Sequence, residues 1–344
     1  MKCTPVAIAL LLVGQAVHGL AYAAPAPGFK VAHVITLGGE GGWDYVSLDA
    51  ASHHLFVPRS RHVMVVDVTT DSIVGDIPNT PGVHGVAVAP EANHGFTSNG
   101  RDSSVSVFNL KTFELIGRVK LDARGPDDVQ YDAVSQRVFS FNAGSNNATA
   151  IDAATDSIAG LVALGGRPES ASADGKGRMY VNLEDSSAVV AFDTRTLKVV
   201  SRWPLAPGEG PTGFAIDRVH RRTFSGCANQ KLIVLDADNG HVVADLPIGK
   251  NVDGVAFDAT RQLVLCSNGE GTLTVIHEDA PDHYTVVETA ATQAGGRTLA
   301  LDETTGTVYI PTSEFGPPPA PTDQRPHPRP SLVPGSFKVL VVKR

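Results

Sequence analysis

Hydrophobic and polar positions alternate along this chain in short runs with a period of two, and the runs recur. The repeating unit is a small or polar residue, an apolar one, a small one, another apolar one and then usually Asp. It reads Tyr45-Val46-Ser47-Leu48-Asp49, Gly85-Val86-Ala87-Val88-Ala89, Asp128-Val129-Gln130-Tyr131-Asp132 and Ser170-Ala171-Ser172-Ala173-Asp174. It returns as Gly213-Phe214-Ala215-Ile216-Asp217, Gly254-Val255-Ala256-Phe257-Asp258 and Thr298-Leu299-Ala300-Leu301-Asp302. The seven copies lie about 40 to 44 residues apart, the length of a four-stranded propeller blade.

Each copy continues in the same order. A second apolar strand follows, as in Leu55-Phe56-Val57, Val138-Phe139-Ser140 and Met179-Tyr180-Val181. A third ends in Asp or Asn: Val63 to Asp67, Val105 to Asn109, Ala188 to Asp193, Leu232 to Asp236. A turn then leads to a fourth, such as Asp71 to Ile77 or Gly240 to Ile248. Alternation, β-branched content and Asx-containing turns predict short antiparallel strands. No segment carries a convincing helical period.

A lone four-stranded sheet cannot bury both faces, whereas sheets set radially cover one another. The innermost strands crowd around the axis, which favours small side chains. Ser47, Ala87, Ser172, Ala215, Ala256 and Ala300 hold one equivalent position, with Gln130 the exception. The expectation is an all-β, seven-bladed propeller with four-stranded blades. After Leu301 come only two further strands, Val308 to Ile310 and, past an insertion, Phe337 to Val342. Phe29 to Leu37 is expected to complete that last blade, closing the ring and removing an exposed edge.

The pattern resembles the YVTN-repeat propellers, the YncE-like family of bacterial exported proteins. The residues that carry the resemblance are Gly41-Gly42-Trp43-Asp44-Tyr45, Asp67-Val68-Thr69-Thr70, Ser98-Asn99-Gly100-Arg101-Asp102 and Asp152-Ala153-Ala154-Thr155. The resemblance covers essentially all of residues 24–344 and implies the fold, while such propellers serve as scaffolds, binders and enzymes alike. No Cys-x-x-Cys-His is present, so c-type haem attachment is not expected.

Composition then narrows the setting. Lys2, the apolar run Val6 to Val13 and Ala21-Tyr22-Ala23 predict a secretory leader over residues 1–23. Residues 24–344 would then form a single propeller in the periplasm or outside the cell. The apolar run is too short to cross a bilayer, and no later stretch is long enough. A formal net charge of -8 argues against a nonspecific phosphate-binding face, so no nucleic-acid partner is expected. Cys227 and Cys266 fall on equivalent strands of neighbouring sheets but out of register, and are read as two buried thiols rather than a disulfide. The Pro-rich insertion over 316–335, with Arg325, His327 and Arg329 as its basic points, is expected as an extended loop of the last blade on the face of the channel mouth. A lid, a docking arm and a passive linker are all open for it.

Candidate chemistry follows from the register. The position five before the end of each repeat holds Asp44, His84, Asp127, Glu169, Thr212, Asp253 and Arg297. These residues are expected to ring one end of the channel. Second-strand ends add Arg59, Asn99, Asn142, Glu184, Asn268 and Glu314. The terminal Asp residues are alike in nearly every copy and read as turn caps, whereas the five-before position varies in sign and type. That variation suits a site built once per ring, and it equally suits drift on a solvated rim. Candidate ligand-binding residues are Trp43, Asp44, His84, Asn99, Asp127, Asn142, Glu169, Glu184, Asn268 and Arg297, although Trp43 also suits packing between blades. No cofactor is required by any motif. Asp44, Asp127, Glu169 and Asp253 could hold a hard divalent ion such as Ca²⁺ or Mg²⁺, and His84 beside them could serve as a general acid or base. The functional expectation is a monomeric periplasmic binding or scaffold propeller that meets a small ligand, a metal ion or a protein partner at its acidic mouth. The alternative is a metal-dependent enzyme of lactonase or lyase type.

Overall fold

In the computed structural model, Met1, residues 28–322, residue 328 and residues 330–344 are described. Apart from Met1, the expected leader over 1–23 lies outside them, as do the basic points Arg325, His327 and Arg329. The described residues form seven four-stranded antiparallel sheets. Six of these run in strict chain order from the axis outward, for example Pro126–Asp132, Arg137–Asn142, Asn147–Asp152 and Ile158–Ala163 in blade 3.

Blade 7 is composite. Ala300–Asp302, Thr307–Thr312 and Lys338–Lys343 are joined by Lys30–Thr36, which pairs antiparallel with Lys338–Lys343. The chain's two ends therefore share one sheet, and the ring is closed by main-chain hydrogen bonds rather than by side-chain contact alone.

Aromatic side chains fill the wedges between blades. Phe56 meets Phe108 at 5.7 Å, Phe139 meets Phe192 at 5.2 Å and Phe224 meets Phe257 at 5.2 Å between ring centroids. All but Phe257 are essentially inaccessible to solvent, and burying such a side chain stabilises by about 2 kcal/mol. Small residues line the channel as the axis requires: Ser47, Ser172, Ala215 and Ala256, with Gln130 again the larger exception, border a cavity of about 490 Å³.

Polar side chains stitch neighbouring blades together. The Asn182 amide of blade 4 donates to the Thr212 and Gly213 carbonyls of blade 5 at 3.2 and 3.0 Å. The Thr212 hydroxyl donates to the Val252 carbonyl of blade 6 at 2.7 Å, and Ser267 of blade 6 to the Gly296 carbonyl at 3.0 Å. Thr298 closes the seam by donating to the Asp44 carbonyl at 3.0 Å.

Cys227 and Cys266 are unbridged and buried. Burial pushes the Cys227 thiol up to about 12 and raises that of Cys266 as well. The described ends of the Pro-rich insertion are not simply extended. Phe315 and Leu332 form a bridge and Gly316 donates to the Ser331 carbonyl, so the loop is pinched at its base.

Candidate functional site

The site begins with a local break in the sheets. In the inner strands of blades 2 to 6 the ladder to the second strand is regular except near its start. The register shifts lie between Val83 and Val86, Pro126 and Val129, Pro168 and Ala171, Pro211 and Phe214, and Val252 and Gly254. The residues skipped include His84, Asp127, Glu169, Thr212 and Asp253. A bulge frees a residue from the ladder and re-aims its side chain, and here it does so at one level of five blades. In blades 1 and 7 the inner ladder is shorter still, Ser47–Asp49 and Ala300–Asp302, leaving Asp44 and Arg297 ahead of it. The inter-blade bonds of Asn182, Thr212, Ser267 and Thr298 satisfy carbonyls in or beside these irregular segments.

From blade 6 round to blade 3 the side chains alternate in charge, while blade 5 contributes the neutral Thr212. Asp253 of blade 6 accepts from Arg297 of blade 7 at 2.5 Å, and Arg297 reaches Asp44 of blade 1 at 3.1 Å. Asp44 bonds His84 of blade 2 at 2.7 Å, and His84 lies 3.4 Å from Asp127 of blade 3. Blade 4 breaks the alternation by placing Glu169, a second acid, next to Asp127. The compensating cation comes from outside the ring: Arg167 pairs with Glu169 at 3.1 Å and with Glu184 at 3.0 Å. From across the channel, the Tyr45 hydroxyl donates to Glu169 at 3.1 Å. Gly100 makes room for this network, because a Cβ there would meet His84 Nε2 at 2.7 Å.

The electrostatics follow from burial. Asp127 is pushed up to about 6, first by burial and then by Asp44, against the pull of His84. Burial also raises Asp253, despite the neighbouring Arg297. Glu169 is raised by burial and then by Asp127, Glu184 and Asp253. Burial works against a charge on His84, yet its bond to Asp44 and the Asp127 carboxylate outweigh this and raise its pKa. The Tyr45 phenol, buried among four carboxylates, is held well above its ordinary value.

The structure thus brings together Asp44, His84, Asp127, Glu169, Asp253 and Arg297, with Glu184 at the rim, as the register suggested. It sets the asparagines apart. Asn99, Asn142 and Asn268 are fully buried, and their amides donate inside their own blades, to Ser104 and Ser106, to Asn147 and Thr149, and to Thr272 and Thr274. They are corrected here to blade-internal ties, because the end of the second strand points its side chain at the third strand and not at the channel. Trp43 is likewise buried, packing on Phe337 at 5.4 Å and Phe315 at 6.2 Å. Arg59 is 1 % exposed and holds the Gly38, Glu40 and Gly41 carbonyls.

Three residues escaped sequence reasoning. Tyr45 stands at a motif position otherwise filled by smaller residues, and its bulk is the signal that was passed over. Asp128 stands at the same position. It is buried, accepts from the Val129 and Ala171 amides and the Gln130 side chain, and is raised by burial to about 7. Arg167 lies outside the repeat motif and carries no signal beyond its charge.

Comparison with known proteins adds the fold and stops there. No protein-family model matches the chain, and no curated protein does. Among solved structures, it is similar to a chain of hydrazine synthase from Kuenenia stuttgartiensis, with a TM-score of 0.70 and 15% identity over 79% of this chain and 93% of that one. It is also similar to U3-55K, with a TM-score of 0.74 and 8% identity over 90% of this chain and 98% of that one. A chain of the mitotic checkpoint complex gives 0.72 and 11% over 88% and 95%. At such identities the likeness establishes the propeller architecture and leaves activity to be argued from the site.

Proposed function

We propose that this protein is a binding propeller whose channel mouth takes a small cationic group at the arc formed by Asp127, Glu169 and Asp253. The carrying observation is the broken alternation. Five acids, Asp44, Asp127, Glu169, Glu184 and Asp253, face three bases, His84, Arg167 and Arg297, and between the acids of blades 3 and 4 the ring places no base. Buried carboxylates that share a mouth, with Asp127 raising Glu169, resist ionisation until a cation relieves them. A divalent ion or the ammonium end of an organic molecule would do so equally well, with the cavity beneath the ring able to accept the rest of an organic ligand. Export through the leader expected over 1–23 would place this binding in the periplasm. The repeat motifs support membership of the YncE-like propellers.

The test is thermal melting of the purified protein with Ca²⁺, Mg²⁺ or 1,4-diaminobutane, against a chelated control. A ligand at a hundredfold excess over its Kd stabilises the fold by about 2.7 kcal/mol, and this gain should vanish in Glu169→Gln. A gain from the metals alone identifies the ligand as an ion, and one from the diamine alone as an organic cation. No gain from any of them overturns the reading.

A second reading rests on a different corner of the same mouth. Ligand atoms of Asp44, His84 and Asp127 lie within 4.8 Å of one another. With His84 deprotonated, that trio could hold a divalent metal and support lactone hydrolysis or a lyase reaction. Metal-dependent turnover of a lactone panel that is lost in His84→Ala would favour it.

A further inference from the structure

The opposite end of the channel carries a cluster that the mouth does not use. Asp217 ends the inner strand of blade 5, about 16 Å along it from Thr212 at strand geometry. His220 follows in the turn, and Glu278 approaches from the third strand of blade 6. His220 Nδ1 lies 2.8 Å from Asp217 Oδ2 and 3.3 Å from Glu278 Oε1.

Comparison among the blades shows which member is out of place. The Glu278 amide donates to the Gln262 carbonyl across its hairpin, and the same bond is made by Val68, Leu110, Ala153, Thr194 and Ala237 in blades 1 to 5. An uncharged residue fills that position in all five. Blade 6 alone among these six puts a carboxylate there. Its third and fourth strands are also lengthened, to nine residues each against six in blade 5.

His220, by contrast, has an ordinary counterpart. Ser52, Ser135 and Thr305 donate to Asp49, Asp132 and Asp302 from the same turn position. The turn explains the contact between His220 and Asp217. It does not explain Glu278.

Glu278 is fully buried. Its Oε1 accepts from the Tyr284 hydroxyl at 3.1 Å, while Oε2 is buried with no hydrogen-bond partner. A desolvated carboxylate oxygen in that state is costly unless a cation or a proton reaches it. Arg222, the nearby guanidinium, is engaged by Asp236 at 3.1 Å and Asp282 at 2.8 Å. The three ligand atoms all lie within 4.8 Å of one another. A tetrahedral ion bonded at about 2.0 to 2.2 Å has ligand edges of about 3.3 to 3.6 Å; the 3.3 Å separation matches this, and the 2.8 Å contact would open by about 0.5 Å to admit the ion. One imidazole with two carboxylates suits a borderline divalent ion better than Ca²⁺ or Mg²⁺.

We propose that Asp217, His220 and Glu278 form a divalent-metal site of the zinc type, which clamps the lengthened hairpin of blade 6 to blade 5. Tyr284 would fix the Glu278 carboxylate as an outer-shell donor, and the part-exposed face of His220 leaves a path for the ion. The role is structural, a cross-tie at the far end of the channel from the ligand mouth.

The test uses the purified protein stripped with a chelator and then melted with and without Zn²⁺, alongside equilibrium dialysis for stoichiometry. Wild type should bind Zn²⁺ and melt several degrees higher with it. The gain should be lost in Glu278→Gln and in His220→Asn and kept in Asp76→Asn, on the outer strand of blade 1. If Glu278→Gln fails to fold, His220→Asn decides alone, because a turn residue with a third of its side chain exposed tolerates replacement. No Zn²⁺-dependent gain in wild type, or a gain that survives both substitutions, overturns the proposal and leaves a proton as the partner of Glu278.

Discussion

At the scale of single residues, the mouth is defined by carboxylates held away from their ordinary protonation. Asp127 moves from 3.8 to about 6, so between those values the folded state binds more protons than the unfolded one. Stability contributed by that proton is present in full below about pH 4 and is lost as pH rises through 6. His84, also raised, acts in the same direction, since its protonated form is the one the fold favours. Asp127→Asn removes the Asp127 contribution. Its stability should exceed wild type by on the order of 3 kcal/mol at pH 7, and the difference should shrink toward zero near pH 4. Urea unfolding at the two pH values checks this, and a constant difference would contradict it.

At the scale of strands, much of the design could be read from the sequence and part could not. Period-two runs placed the strands within a residue or two. The uniform terminal Asp residues proved to be turn caps, as in Asp132 bonding the Ser135 amide and Asp217 the Val219 amide. The five-before position led to the site because a register argument needs only the repeat. Side-chain direction was harder. Asn99, Asn142 and Asn268 lie at the same level as the mouth, yet their amides turn to the third strand, and a one-residue change of facing cannot be read from spacing. Bulges that free His84 and Asp127 were equally invisible, because a bulge is a departure from the alternation that identifies strands.

The stitching between blades makes its own prediction. Asn182 bonds two carbonyls of blade 5 and accepts from Ser225 at 2.8 Å. Asn182→Ala would leave three buried polar groups unpaired and should cost about 2 to 4 kcal/mol. Denaturant midpoints would report it, and a loss under 1 kcal/mol would show that water replaces the amide there.

At the scale of the whole molecule, ring closure and ligand site are parts of one construction. Lys30–Thr36 completes blade 7, and at the same seam Arg297 of blade 7 joins Asp44 of blade 1. Closure therefore sets the spacing of the charged ring, and only a closed ring gathers an acid or base from six of the seven blades, with Thr212 from blade 5, onto a common axis. The two ends of the channel are then chemically distinct: a charge-alternating mouth with one acidic gap, and a buried Asp-His-Glu cross-tie between blades 5 and 6.

The central claim is that the gap at Asp127 and Glu169 awaits a cation and holds protons in its place. Calorimetric titration at pH 6 tests it most directly, using whichever of Ca²⁺ and 1,4-diaminobutane stabilises the protein, in two buffers of different ionisation enthalpy. Binding should release protons, so the observed heat should differ between buffers, and both binding and the difference should fall in Glu169→Gln. Binding with the same heat in both buffers, undiminished by Glu169→Gln, would place the ligand elsewhere and contradict the account.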